Sequence, residues 1–429
     1  MRNSDSTKIS IQAISDPDAL TKVGEAWNHV VREYEPNPFL LVGLLTRFMT
    51  MRSKEGWIPL MLLLSVEGIP VGVAPLMTRK HFGVRVARLL LEQWLSPNFA
   101  LEDKHRKESL HEILEFVFRE MHGNLVELAL PSESPNCRLL MEECASRSLR
   151  YVVRDRSRAG HRIVPLTQSW DTFRSRLGHD FRRNLKRMSR NMGRVGKCEI
   201  QFVDLGKQPC EVEKIHAVES MSWKQEWMQL RGQADEDLKA VVAGSIDLSS
   251  TEAKFQVGAC FLTLNGLTIA YELILQYQNT AYFTKTSFAE KYRKLSPGVF
   301  VINESIRSLC DGGQIRRVDF LTNLPAWNNW PGINASRTNL TITSSGLYLL
   351  IDWFMRASTY VRVTIPGMIA LLRRLLRSSK SKAHQLSING SGFTPLTAEK
   401  LRSFLTVGGN DAEHSEMCHM TRISLNCSS

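Results

Sequence analysis

From residue 8 to about 335, short apolar runs alternate with stretches whose apolar residues fall three and four apart. The first pattern predicts buried strands and the second amphipathic helices. Strands are expected at 8–13, 84–94, 125–130, near 151, and at 161–165, 199–204, 255–264, 267–277, 281–286 and 315–321. Helices are expected at 18–34, 40–51, 107–122, 136–148, 169–177, 181–195, 211–228 and 299–309. The run Trp57–Met77 has the length of a membrane span and a single charge, Glu67. Glu67-Gly68 interrupts its middle, and prolines stand at 59, 70 and 75, so two buried strands joined by a turn are expected instead.

An internal repeat underlies this order. Val66-Glu67-Gly68-Ile69 resembles Leu264-Asn265-Gly266-Leu267, Leu95-Ser96-Pro97-Asn98 resembles Leu295-Ser296-Pro297-Gly298, and Leu125-Val126-Glu127-Leu128 resembles Arg317-Val318-Asp319-Phe320. Three matches in one order point to two copies of an α/β unit. The predicted class is therefore α/β, with two tandem halves of mixed sheet flanked by helices and a helical C-terminal tail. The expected boundaries are 1–157, 158–345 and 346–429.

The stretch Ala281–Leu321 organises the second copy. A strand leads into the basic loop Lys291-Tyr292-Arg293-Lys294-Leu295-Ser296-Pro297-Gly298, and a helix follows with Val299, Ile302, Ile306 and Leu309 on one face. The first turn of a helix presents backbone N–H groups and a positive dipole end, which attract phosphate. Pro297 suits the helix start, Gly298 leaves room near the backbone, and Arg293 and Lys294 add charge. The loop is neither a Gly-Lys-Ser/Thr phosphate loop nor a GxGxxG turn. A plain helix start explains the same residues equally well. The first copy has Asn98 in place of Gly298, so only the second is expected to keep a diphosphate cradle.

The charge balance narrows the ligands. The chain has 429 residues, a formal net charge of +12 and a pI near 9.4. That suits phosphorylated ligands, nucleic acid or an anionic membrane surface. The eight cysteines form no CxxC pair and no metal spacing, so reduced thiols and no metal are expected. Met1–Ser15 has no apolar run, so a cytoplasmic placement is expected. The helix at 181–195 sets Arg182, Arg183, Lys186, Arg187, Arg190 and Arg194 opposite its apolar stripe. A solvated face, an anionic acceptor and nucleic acid are its three readings, in that order. Beyond 346, helical runs with Arg373, Arg374 and Arg377 precede a Ser-rich tail read as mostly disordered, and this basic piece would suit an anionic membrane surface.

The second copy resembles the BioF/CelD-like acetyltransferases of the GNAT superfamily. The resemblance rests on Phe181-Arg182-Arg183-Asn184-Leu185-Lys186-Arg187, Glu219-Ser220-Met221-Ser222-Trp223-Lys224, Leu295-Ser296-Pro297-Gly298 and Val318-Asp319-Phe320-Leu321. It covers 161–335, and residues 8–155 resemble a degenerate GNAT-like half. The FemABX aminoacyl transferases are distant relatives with the same doubled fold. The resemblance implies an acyl-CoA-dependent acyltransferase acting by direct attack on an amine or hydroxyl of a sugar-derived or cell-envelope precursor. The coenzyme would lie at Arg293, Lys294, Leu295, Ser296, Pro297 and Gly298. Family members usually carry a Tyr-Lys pair where this chain has Trp327-Asn328, which bears on the acceptor.

Acyl transfer needs a base near the acceptor. Asp319 and Glu272 are the two candidates. Asp319 could instead be a strand carboxylate paired with the basic helix, and Glu272 could face solvent at a sheet edge. Trp223, Lys224, Arg183, Arg187, Trp327 and Asn328 are candidate acceptor contacts. His161, His179 and His216 are expected to be isolated and structural. The rival readings are an aminoacyl transferase using charged tRNA and a non-catalytic scaffold at a membrane surface.

Overall fold

The computed structural model describes residues 8–349, apart from 82, 92–94, 96–97, 123, 148, 156–159, 168, 223–235 and 253. The expected helices beyond 349, the disordered tail, Trp223 and Lys224 lie outside the described residues. The chain divides into two compact units, Met1–Ser344 and Ser345–Ser429.

The first half runs β1 (Ile9–Ile14), α1 (Pro17–Lys22), α2 (Gly24–Tyr34), α3 (Val42–Lys54), β2 (Ile58–Val66), β3 (Ile69–His81), β4 (Val84–Leu89), β5 (Ala100–Leu101), α4 (Arg106–Glu115), β6 (Leu125–Pro131), α5 (Pro135–Ser146) and β7 (Arg150–Asp155). The second runs β8 (His161–Pro165), α6 (Trp170–Ser175), α7 (His179–Val195), β9 (Cys198–Asp204), α8 (Val212–Ser220), α9 (Glu236–Thr251), β10 (Phe255–Leu264), β11 (Leu267–Tyr277), β12 (Thr280–Phe288), α10 (Pro297–Gly312), β13 (Arg317–Asp319), β14 (Ile333–Ala335) and β15 (Arg337–Thr343). The class is α/β, with two mixed sheets flanked by helices.

The expected elements are present with local differences. The predicted helix 18–34 breaks at Val23, strand 84–94 stops at Leu89, and strand 315–321 shortens to Arg317–Asp319. The run at 58–77 is the β2–β3 hairpin, and among the described residues no helix is long and apolar enough to cross a membrane.

The repeat is visible in the backbone. Glu67-Gly68 and Asn265-Gly266 both take positive φ, at 52° and 82° and at 51° and 81°, as a type I′ hairpin turn requires. A bulge interrupts each hairpin at the same place, between Leu64 and Ser65 and between Leu262 and Thr263. The sheet orders also correspond: β1-β2-β3-β4-β6-β15-β7 in the first and β9-β10-β11-β12-β13-β8-β14 in the second. β4–β6 and β12–β13 are the parallel pairs.

These orders contain a reciprocal exchange. β8, which follows the first half, inserts between β13 and β14 of the second sheet. β15, which follows the second half, inserts between β6 and β7 of the first. The first sheet is thus completed by a strand from the end of the second half, and the second by the strand that directly follows the first half.

One apolar core joins the halves, running from Trp27, Phe39, Leu44 and Phe48 to Phe261, Tyr271, Leu273, Tyr282 and Leu321. Within it α3 crosses α9. A Cβ on Gly43 would meet Leu248 at 2.8 Å, and one on Gly244 would meet Leu44 at 2.9 Å. The two glycines permit that approach reciprocally, and Arg47 pairs with Asp247 at 2.6 Å beside it. The opposite face of the second sheet carries α10, α6 and α7, whose Phe181 sets its ring edge-on to buried Trp330 at 5.1 Å.

Candidate functional site

β12 and β13 pair in parallel over three residues, Thr280–Tyr282 against Arg317–Asp319. The ladder then ends. β12 continues to Phe288 with β11 as its strand partner, while β13 turns away at Phe320. Past Tyr282 no described strand pairs with β12 on that side, and the continuation of β12 leads to the start of α10. The loop Arg293–Gly298, from which a diphosphate cradle is expected on sequence grounds, lies at that point.

α10 begins with Pro297 at its first position, after Ser296 in the left-handed region at φ 56°. No side chain caps it and its first turn holds no acidic residue. Asp16, Ser134 and Ser169 cap α1, α5 and α6, whereas α2, α3, α4, α7 and α8 also lack a side-chain cap. An uncapped first turn beside exposed Arg293 and Lys294 fits a diphosphate. Gly298 has a packing reason as well: a Cβ there would meet the Phe288 ring at 3.2 Å, so the glycine lets α10 start against β12.

The face of the second sheet turned towards the first half carries a polar group that sequence reasoning did not assemble. Buried Tyr271 donates to Glu219 Oε1 at 2.5 Å. Lys285 Nζ lies 3.7 Å from Glu219 Oε2. Two residues on along β12, Ser287 Oγ bonds Ser222 Oγ at 3.1 Å. Lys285 and Ser287 lie on β12 past the end of its pairing with β13, so this group stands beside that unpaired stretch of β12. Glu219 was legible within the motif Glu219–Lys224, but its partners lie 52 and 66 residues away on other elements.

Asp319 lies on this same face and is 8% exposed. Its Oδ1 accepts the Leu321 N–H at 2.7 Å, which holds Leu321 at φ 57°. Its other oxygen faces His161 Nδ1 at 3.2 Å. Arg337 Nη1 reaches His161 Nε2 at 3.4 Å, and its Nη2 donates to Ala129 O at 3.0 Å. Arginine can only donate, so His161 carries its proton on Nδ1 and gives that hydrogen bond to Asp319. Two expectations change here. His161 is not isolated, because the fold brings it to Asp319, and the partner of Asp319 is this imidazole rather than the basic helix.

Glu35 and Asn98 of the first half extend the cluster, with Asn98 Nδ2 donating to Glu35 Oε2 at 2.9 Å. Burial raises the Glu35 carboxyl, against the opposing Asn98 hydrogen bond and nearby arginines. Burial lowers the Arg337 guanidinium to about 10, with Asp319 and Glu35 opposing. Burial also raises the Tyr282 phenol, and the Asp319 charge adds to it.

Glu272 is on the other face. It is fully buried beneath α10, and Thr286 donates to its Oε2. It is not at a solvent-facing edge, and the sheet separates it from Asp319, so the two carboxylates cannot serve one acceptor. Cys260 stands across the ladder from it, and burial raises that thiol to about 12, so the thiol stays protonated. Arg183 and Arg187 are exposed on α7, on the α10 side, away from Glu219 and Asp319. Trp327 stacks on Phe320 at 4.8 Å and donates to Thr322 Oγ1 at 2.8 Å, while Asn328 is exposed. The four described candidates, Arg183, Arg187, Trp327 and Asn328, are therefore not gathered around Glu219 and Asp319.

Residues 179–328 match the model of an acetyltransferase (GNAT) domain. The second half is a GNAT-type acyltransferase domain. Domains of this kind use an acyl-CoA donor. No curated protein matches the chain. Among solved structures, FemX has 11% identity and a TM-score of 0.53, covering 80% of this chain and 99% of its own. At that identity the likeness concerns the fold alone, and it extends over both halves. A tandem GNAT protein from the clavulanic acid biosynthesis pathway gives 9% identity, coverage of 79% and 99%, and a TM-score of 0.45. A conserved protein from Bacteroides thetaiotaomicron gives 10%, 78% and 100%, and 0.48.

Proposed function

We propose that the chain transfers an acyl group from acyl-CoA, in the first place acetyl-CoA, to an amine or hydroxyl of a sugar-derived or cell-envelope precursor. The reading of a BioF/CelD-like enzyme belongs to this proposal. It is carried by β12, which runs on past its three-residue pairing with β13 to the uncapped start of α10. In this reading the α10 first turn with Arg293 and Lys294 holds the diphosphate, and the thioester lies along β12. When bound, the donor supplies a carbonyl carbon open to direct attack.

The chain's own residues handle the acceptor. As the acceptor nitrogen or oxygen bonds the acyl carbon and the carbon–sulfur bond breaks, a proton must leave the acceptor and one must reach the thiolate. Glu219 takes the acceptor proton, because it stands beside the unpaired stretch of β12 and its oxygens face Tyr271 and Lys285. Tyr271 is the phenol in that group able to give a proton and be reprotonated through Glu219. Asp319 holds Leu321 and His161. Its contacts favour positioning over proton transfer.

Isothermal titration of the full chain with acetyl-CoA tests the reading. Micromolar binding is expected, weakened about tenfold in Arg293→Gln/Lys294→Gln, since exposed charge contacts contribute up to about 1 kcal/mol each. Gly298→Asp would also disturb Phe288, so it is the poorer probe. A chain that binds charged tRNA and not acetyl-CoA would sink the proposal.

A further inference from the structure

We infer that the outer face of α7, with the adjoining turn Glu290–Leu295, is a docking surface for an anionic lipid bilayer. α7 holds six basic residues in seventeen, and the acyl-transfer reading uses none of them. Arg182 turns aside to donate to Ser175 O at 2.9 Å. The other five, Arg183, Lys186, Arg187, Arg190 and Arg194, are exposed. At 100° per residue they occupy an arc of about 100°, directly opposite Phe181 and Met192, which anchor the helix to the core.

Solvated basic helices usually carry acidic partners three or four residues away. Here the one acid, Asp180, pairs with Arg183 at 3.1 Å. Among the described ion pairs none reaches Lys186, Arg187, Arg190 or Arg194. The turn Glu290–Leu295 packs against α7 and adds exposed Lys291; its Arg293 faces Glu290 at 3.3 Å and, with Lys294, belongs to the diphosphate reading. Single-sign charge of this density is costly to leave alone, and a surface of anionic headgroups complements it.

One observation favours lipid over nucleic acid. At the C-terminal end of α7 the β10–β11 hairpin is tied to the helix by Asn265, which accepts the Lys197 N–H at 2.8 Å and donates to Val195 O at 3.4 Å. That junction leaves Val195 51% and Leu267 45% exposed. Apolar tips beside a cationic face suit insertion among headgroups.

Sedimentation of the full chain with vesicles tests the inference. Partitioning onto phosphatidylcholine vesicles with about 30% phosphatidylglycerol, at about 0.1 M salt, is expected to exceed that onto neutral vesicles and to fall at high salt. Lys186→Gln/Arg190→Gln/Arg194→Gln should lower it about a hundredfold, about fivefold for each charge. Lys186→Arg/Arg190→Lys/Arg194→Lys should preserve it, and circular dichroism should show both variants folded. Val195→Ser/Leu267→Ser should cause a smaller loss. The inference is overturned if the chain ignores anionic vesicles, if it binds neutral ones equally, or if the neutralised variant binds like the original, which would assign binding to Ser345–Ser429. Loss of binding in the charge-preserving variant, or capture of RNA in preference to vesicles, would overturn it too.

Discussion

The two halves share a backbone plan and differ in what they bury. In the first hairpin Leu62 faces Ala74 and Leu63 faces Val73. At the corresponding places of the second, Cys260 faces Glu272 and Phe261 faces Tyr271. Beyond β4, Asn98 is buried and bonded to Glu35, Ser134 and Asn136, and the strand pair β3–β5 closes the space. Beyond β12 the chain instead reaches the bare start of α10. The fold alone is satisfied by the apolar version. Buried polar groups are unfavourable unless partnered, and where the second half departs from its sister it supplies the partners: Tyr271 and Lys285 for Glu219 on one face and Thr286 for Glu272 on the other.

That contrast can be broken by exchanging its terms. The largest effect is expected for Glu219→Gln, which should lower kcat/KM about a hundred- to a thousandfold while leaving the melting temperature near its original value. An unchanged rate would remove Glu219 from the chemistry and return Asp319 to consideration. Next in size, Ala74→Glu gives the first half the carboxylate of the second without its threonine partner. A loss of about 3 kcal/mol in urea unfolding is expected, with acetyl-CoA affinity retained. A neutral result would show that this layer tolerates carboxylates and that the position of Glu272 carries no information.

The smallest effect sharpens the first half's own electrostatics. Burial raises the Glu143 carboxyl, but hydrogen bonds from His111 and Arg147 outweigh it, so the folded value lies below the ordinary 4.5. A depressed carboxylate stabilises above its unfolded value and loses that contribution as pH falls through the folded one. Stability should therefore drop by about 1 kcal/mol on going from about pH 6 to well below 4.5. Glu143→Gln should flatten that part of the urea-midpoint profile, and an unaltered slope would refute the assignment.

Much of the scaffold was legible because its signals are local. Glu67-Gly68 and Asn265-Gly266 announce hairpins from four residues, and Pro297 and Gly313 bracket α10. The site was less so. His161 meets Asp319 across 158 residues, and nothing in the spacing of either predicts it. Glu272 was read as either edge or interior, and only its place under α10 decides between them. β15 has an ordinary strand composition, yet its partners are β6 and β7, more than 180 residues earlier. Pattern gives an element's type, whereas its neighbours depend on the whole path of the chain.

The exchange of β8 and β15 has a consequence for biosynthesis. While the ribosome is still extending the chain, the amino-terminal sheet has a gap between β6 and β7 that only Arg337–Thr343 can fill. Nascent protein emerging before that point exposes two strand margins ready to pair with any available backbone. Completion of the earlier-made sheet thus waits for Arg337–Thr343 to leave the exit tunnel, and a message truncated upstream of Arg337 yields a product whose first half has no means of closing.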